Sequence, residues 1–146
     1  MRAESGIRVV IDTNVWISAF LTKTGAPASL VRQVVAHGQP VFSPPTFAAL
    51  ETRLWLPKFD RYLEMDDRLQ MLRDASALAH WVDVPAAISA KAICRDRGDD
   101  KFIHAALAAG APWLVTGDKD LLDVPPLPDL RIVSPAKALQ LAAFRV

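Results

Sequence analysis

Asp12 closes the apolar run Ile7-Arg8-Val9-Val10-Ile11, and Asp118 follows the run Trp113-Leu114-Val115-Thr116 after a single glycine. Short β-branched runs of this kind predict buried strands, so both carboxylates are expected at strand ends along one edge of a sheet. Taken singly, each has a modest reading: Asp12 as a helix cap, Asp118 as the start of an Asx-turn. A third carboxylate, Glu51, falls four residues after Phe47 on a segment whose apolar stripe is Phe47, Leu50 and Leu54. That spacing predicts a carboxylate turned toward the interior, where it needs a cation, a basic side chain or a metal.

Asp99 and Asp100 open the helical run that carries Ile103, Ala106 and Leu107. The wheel puts them on opposite edges of the inward stripe and does not choose between them; either suits the positive end of a helix. Asp96 and Asp120 stand close by in sequence and read as loop carboxylates. Several acids around one cavity repel unless a cation joins them. Oxygen ligands without His or Cys suit Mg²⁺ or Mn²⁺, one ion or two, which lower the pKa of an attacking water and neutralise phosphate oxygens. The implied chemistry is phosphodiester hydrolysis.

Positioning such groups requires an alternating fold. Strands are expected at 7–11, 40–43, 81–84, 113–116 and 131–133, with helices over 15–21, 29–36 (closed by Gly38), 44–56, 66–79 and 101–109 (closed by Gly110), a helical turn over 86–92, and a last helix from Pro135. Strand and helix in alternation imply a mainly parallel sheet flanked by helices, because parallel neighbours need crossover connections. The chain of 146 residues is expected to form a single domain over 1–146, with Pro125-Pro126-Leu127-Pro128 a stiff surface connection inside it.

Val10-Ile11-Asp12-Thr13-Asn14, Leu50-Glu51-Thr52-Arg53-Leu54, Arg95-Asp96-Arg97-Gly98-Asp99-Asp100-Lys101-Phe102-Ile103 and Leu114-Val115-Thr116-Gly117-Asp118-Lys119-Asp120-Leu121, in this order, make the chain resemble a PIN domain. It most resembles the toxins of type II toxin–antitoxin systems. The resemblance implies a three-layer α/β/α fold, Mg²⁺- or Mn²⁺-dependent ribonuclease activity, homodimers and inhibition by a small antitoxin. By position it assigns Asp12, Glu51, Asp100 and Asp118 as catalytic and metal-holding, with Asp99, Asp96 and Asp120 as further candidate ligands, and it favours Asp100 over Asp99. Thr13, Asn14 and Thr116 match supporting positions. Arg97-Gly98 stands where relatives often carry Pro-Asp.

Lys23, Arg95, Arg97, Lys101 and Lys119 are candidate phosphate contacts, which would hold RNA without reading its sequence. The four tryptophans, Trp16, Trp55, Trp81 and Trp113, are expected in the core. His37, His80 and His104 lack metal-ligand spacing, and His104 is expected at the surface or satisfied locally. The net charge of +1 provides no general field for nucleic acid or membrane, so a polyanion site must be local. A lone Cys94 and the lack of an apolar leader or membrane span point to a reducing, cytoplasmic location. Two other functions remain in view: a degenerate PIN scaffold that binds RNA or a protein partner, and a Mg²⁺-dependent phosphotransfer or phosphatase domain using Asp12 as nucleophile. The latter lacks a second aspartate two residues after Asp12.

Overall fold

A computed structural model describes residues 6–141 and 144. Five strands form one sheet: β1 (Ile7–Ile11), β2 (Gly38–Phe42), β3 (His80–Trp81), β4 (Trp113–Val115) and β5 (Arg131–Val133). Their order is β3-β2-β1-β4-β5, and every pairing is parallel. Helices α1 (Thr13–Leu21), α2 (Ala26–His37), α3 (Pro44–Leu54), α4 (Met65–Leu78), α5 (Ala86–Ser89), α6 (Asp100–Ala109), α7 (Lys119–Leu122) and α8 (Pro135–Gln140) make the connections. The expected three-layer α/β/α arrangement is present.

Both faces of the sheet are covered, and β1 shows why its sequence is apolar throughout. Val9 and Ile11 pack into one core with Val15, Trp16, Leu30, Leu50, Leu54 and Leu72 from α1 to α4. Val10, pointing the other way, packs with Phe102, Ile103 and Ala106 of α6 and with Leu114 and Leu121. A strand buried on both faces cannot alternate apolar with polar. Each such side chain contributes about 1.5–3 kcal/mol by leaving water.

The boundaries differ from the sequence expectations in instructive places. The third strand is only two residues long, although the Val82 N–H still donates to the Phe42 carbonyl at 2.9 Å. Gly38 does not close α2 with a left-handed residue; it is extended at φ −134° and begins β2. Its lack of a side chain matters for another reason, since a Cβ there would stand 2.7 Å from the Ile7 carbonyl oxygen of the neighbouring strand. Gly110 does end α6 as expected, at φ 64°. Of the tryptophans, Trp16 and Trp113 are buried, whereas Trp55 and Trp81 are exposed. His104 is buried, with Nε2 2.8 Å from the Lys91 carbonyl oxygen. Among the described residues no helix is long and apolar enough to cross a membrane.

The strand order reverses direction at β1. From β1 the chain crosses over to β2 on one side, and the later β4 pairs on the other. An open parallel sheet leaves a crevice at such a switch point, beyond the carboxyl ends of the two central strands. Asp12 and Asp118 follow those two ends.

Candidate active site

A cavity of about 660 Å³ opens at this edge, lined by Asp12, Thr13 and Asn14 after β1, by Asp118 after β4, by Asp96, Asp99, Lys101 and Phe102 around the start of α6, and by one side of α3. Asp12 occupies the cap position of α1, yet its side chain makes no capping bond. The carboxylate instead accepts a 2.6 Å hydrogen bond from the Thr116 hydroxyl at Oδ2, while the Asp12 N–H donates to the Val115 carbonyl at 2.9 Å. The Thr116 hydroxyl oxygen in turn accepts from the Asp118 N–H at 2.9 Å. One buried threonine thus ties both strand-end aspartates together. Asp118 also performs the turn role its sequence suggested, its Oδ1 accepting from the Asp120 N–H at 3.0 Å.

The adjacent aspartates at the start of α6 separate cleanly. Asp100 is buried, and its carboxylate accepts from the N–H groups of Cys94 at 2.6 Å and Ile93 at 3.2 Å, fastening the preceding loop. It does not line the cavity. Asp99 does, although its side chain caps nothing and its Oδ2 is buried without a hydrogen-bond partner. The sequence resemblance favoured Asp100 for the site, but its acceptor capacity is directed at loop amides; a 3₁₀ turn over Arg97–Asp99 swings the preceding residue into the cavity instead.

Glu51 requires a second correction. It is exposed and lies outside the cavity lining. Helix α3 is rotated so that Thr46, Leu50 and Leu54 face the core, and Pro45, Ala48, Ala49, Thr52 and Arg53 face the cavity, with Leu56 just beyond its end. With a residue every 100°, Glu51 falls away from that second set. The half-buried Phe47 had been counted in the apolar stripe, which displaced the inferred inward direction toward Glu51. Arg53 was the residue missed on this helix, and the 45-48/49-52/53 spacing of Pro45, Ala48, Ala49, Thr52 and Arg53 was the available signal.

Asp96, Asp99 and Asp120 each offer a carboxylate oxygen within 4.8 Å of the others, an arrangement able to hold a cation. Of the supporting residues, Thr13 is buried with its hydroxyl unpartnered, Asn14 is exposed on the rim, and Thr116 is fully buried. Lys101 lines the cavity, whereas Lys119 forms a surface ion pair with Asp123 at 2.7 Å. Lys23, Arg95 and Arg97 are exposed and outside the lining.

The electrostatics follow from this crowding. Burial raises the Asp12 carboxyl above the ordinary 3.8; the Thr116 hydroxyl and Thr13 backbone bonds pull it back, Asp118 raises it, and the Arg53 charge lowers it. Asp99 is pushed to about 7, first by burial, then by the adjacent Asp118 carboxyl and by repulsion from Asp96 and Asp12. Clustered carboxylates that hold protons this tightly are suited to exchange them for a metal. The donor set fits a hard divalent ion: oxygens throughout, with the buried Thr13 hydroxyl and Asp99 Oδ2 both lacking partners.

Comparison with known proteins agrees with the architecture. The sequence profile of a family described as PIN domain matches residues 8–120. The chain is 32% identical over 120 residues to the uncharacterized protein MJ1680 of Methanocaldococcus jannaschii, covering 81% of this chain and 75% of that protein. The fold is similar to VapBC2 from Rickettsia felis, crystallised bound to a DNA fragment from its promoter (TM-score 0.61, 13% identity, 88% of this chain and 98% of that one). It is also similar to PAE2754 from Pyrobaculum aerophilum (TM-score 0.56, 14% identity, 94% and 91%).

Proposed function

This chain belongs to the PIN-domain family, and from that premise and its acidic cavity we propose that it is a divalent-metal-dependent endoribonuclease. The observation that carries the reading is the convergence of Asp12, Asp99 and Asp118 from two strand ends and a helix start on one cavity. Asp12, Asp99 and Asp118 would hold Mg²⁺ or Mn²⁺, with Asp96 and Asp120 at its edge. When bound, such an ion activates water and neutralises charge on the scissile phosphate. The protein's part is to orient and to exclude: Thr116 holds the Asp12 carboxylate in one rotamer, the two cores keep the strand ends rigid, and Asp99 gives up its proton as the cation enters. Hydrolysis would leave a 5′-phosphate and a 3′-hydroxyl.

The toxin role, with a small antitoxin as partner, homodimer formation and a cytoplasmic setting, rests on the resemblance to toxins of type II toxin–antitoxin systems. A neighbouring gene for a small DNA-binding protein, and loss of RNA cleavage when the two proteins are mixed, would support it.

One observation favours a second reading, a scaffold that binds RNA or a protein partner without cutting: α3 turns no carboxylate toward the cavity. The deciding experiment is incubation of mixed cellular RNA with the protein and Mg²⁺ or Mn²⁺. Metal-dependent cleavage, abolished by Asp12→Asn, is expected; equal cleavage by Asp12→Asn and the unaltered protein would sink the nuclease assignment.

A further inference from the structure

Helix α3 supplies the cavity with a cation in place of a carboxylate. Arg53 lines it from α3 and Lys101 lines it from α6, facing a lining that also holds Asp12, Asp96, Asp99 and Asp118. These two cations face mutually repelling carboxylates, to which Asp120 adds another within 4.8 Å of Asp96 and Asp99. Arg53 is exposed, and the two ion pairs among the described residues, Arg68–Asp60 and Lys119–Asp123, do not include it. Its charge nevertheless reaches the buried Asp12. An exposed arginine that lines the same cavity as Asp12, and that joins neither ion pair among the described residues, can receive a phosphate through a bidentate fork.

We propose that Arg53 contacts a non-bridging phosphate oxygen of the RNA strand, assisted by Lys101. The inference rests on the nuclease reading and deepens it, assigning to named side chains part of the neutralisation of the phosphate charge. Both residues would position the strand, without choosing among sequences.

The test is binding, read by fluorescence anisotropy, of a labelled 12-nucleotide single-stranded RNA to the whole protein with Ca²⁺ in place of Mg²⁺. Gel electrophoresis verifies that the RNA stays intact. Arg53→Ala and Arg53→Gln are each expected to weaken binding about tenfold and to lower the slope of log affinity against log salt by about 0.7, the value for one phosphate contact on a single strand. Arg53→Lys should keep most of the slope, and adding Lys101→Ala should remove a similar further amount. Unchanged affinity and slope in both neutral Arg53 variants would overturn the phosphate contact. The underlying reading fails separately: Asp12→Asn would then cleave as well as the unaltered protein, whereas an inactive Asp12→Asn beside an Arg53→Ala that binds normally rejects this inference alone.

Discussion

The Thr116 hydroxyl donates to the Asp12 carboxylate at 2.6 Å across a sequence separation of 104 residues. It joins the ends of the two central strands at the point where the sheet order reverses, and the same oxygen accepts from the Asp118 N–H. A side chain with no exposure, and with no direct part in the cavity lining, therefore orients the Asp12 carboxylate and anchors the backbone of Asp118, both of which line it.

Replacing Thr116 by Val keeps the shape and removes both bonds. The buried Asp12 carboxylate would lose its nearest donor, so the variant should be destabilised by about 1–3 kcal/mol in chemical denaturation at neutral pH. RNA cleavage should fall further than stability accounts for, by one to two orders of magnitude. Thr116→Ser should restore most of both. Equal denaturation midpoints for Thr116→Val and the unaltered protein would contradict the linkage.

Asp99 and Asp100 should respond in opposite ways. Asp100→Ala strips two N–H groups of a charged acceptor and is expected to cost about 3 kcal/mol whether or not Mg²⁺ is present. Asp99→Asn relieves repulsion in the metal-free protein and should preserve or raise its stability, while weakening Mg²⁺ binding at least tenfold by calorimetry. Loss of metal affinity in Asp100→Asn with full affinity in Asp99→Asn would return the ligand role to Asp100.

Glu51→Gln should be silent, within about 0.5 kcal/mol in stability, as expected for an exposed side chain outside any network. RNA cleavage should be unchanged. The complementary change, Ala49→Glu, places a carboxylate on the face of α3 that lines the cavity. It should tighten Mg²⁺ binding several-fold. A large loss of cleavage in Glu51→Gln would show that the helix turns in solution.

Stability without metal should fall as pH rises. Asp99 is raised to about 7 from 3.8, so the folded chain holds its proton more tightly than the unfolded chain. Its stabilising contribution is complete below about pH 4 and is lost as pH climbs through about 7. The raised Asp12 acts in the same direction. Melting temperatures from pH 5 to pH 8 should therefore decline in chelator, decline less in Asp99→Asn, and be restored by Mg²⁺, whose affinity should increase over the same interval. A rise in melting temperature across this range in chelator, steeper than in Asp99→Asn, would contradict the raised value.

Much of this protein was legible in one dimension. Ile7–Ile11 and Trp113–Val115 announced themselves as buried strands because short apolar runs of β-branched and aromatic residues flanked by Asp, Thr and Gly have few other folded uses. Alternation with helices then implied a parallel sheet, and parallel strands oblige Asp12 and Asp118 to emerge at one edge. The chain also carried Gly110 where a helix needed a left-handed stop. Less legible were elements whose character depends on neighbours, such as the two-residue β3, which is a strand through its pairing with Val41 and Phe42 of β2.

The sequence by itself determined the order of elements and the placement of the strand-end aspartates, since those follow from local patterning and from the geometry of crossovers. Tertiary structure decided which carboxylates meet. Rotation of α3 about its axis is set by the seating of Thr46, Leu50 and Leu54 beneath it, and that seating sends Glu51 outward and Arg53 to the cavity. The choice of Asp99 over Asp100 depends on which of two adjacent side chains the Ile93–Cys94 loop engages through its amides. Neither outcome is written in the spacing of residues along one helix, because each is fixed by contact with a segment elsewhere in the chain.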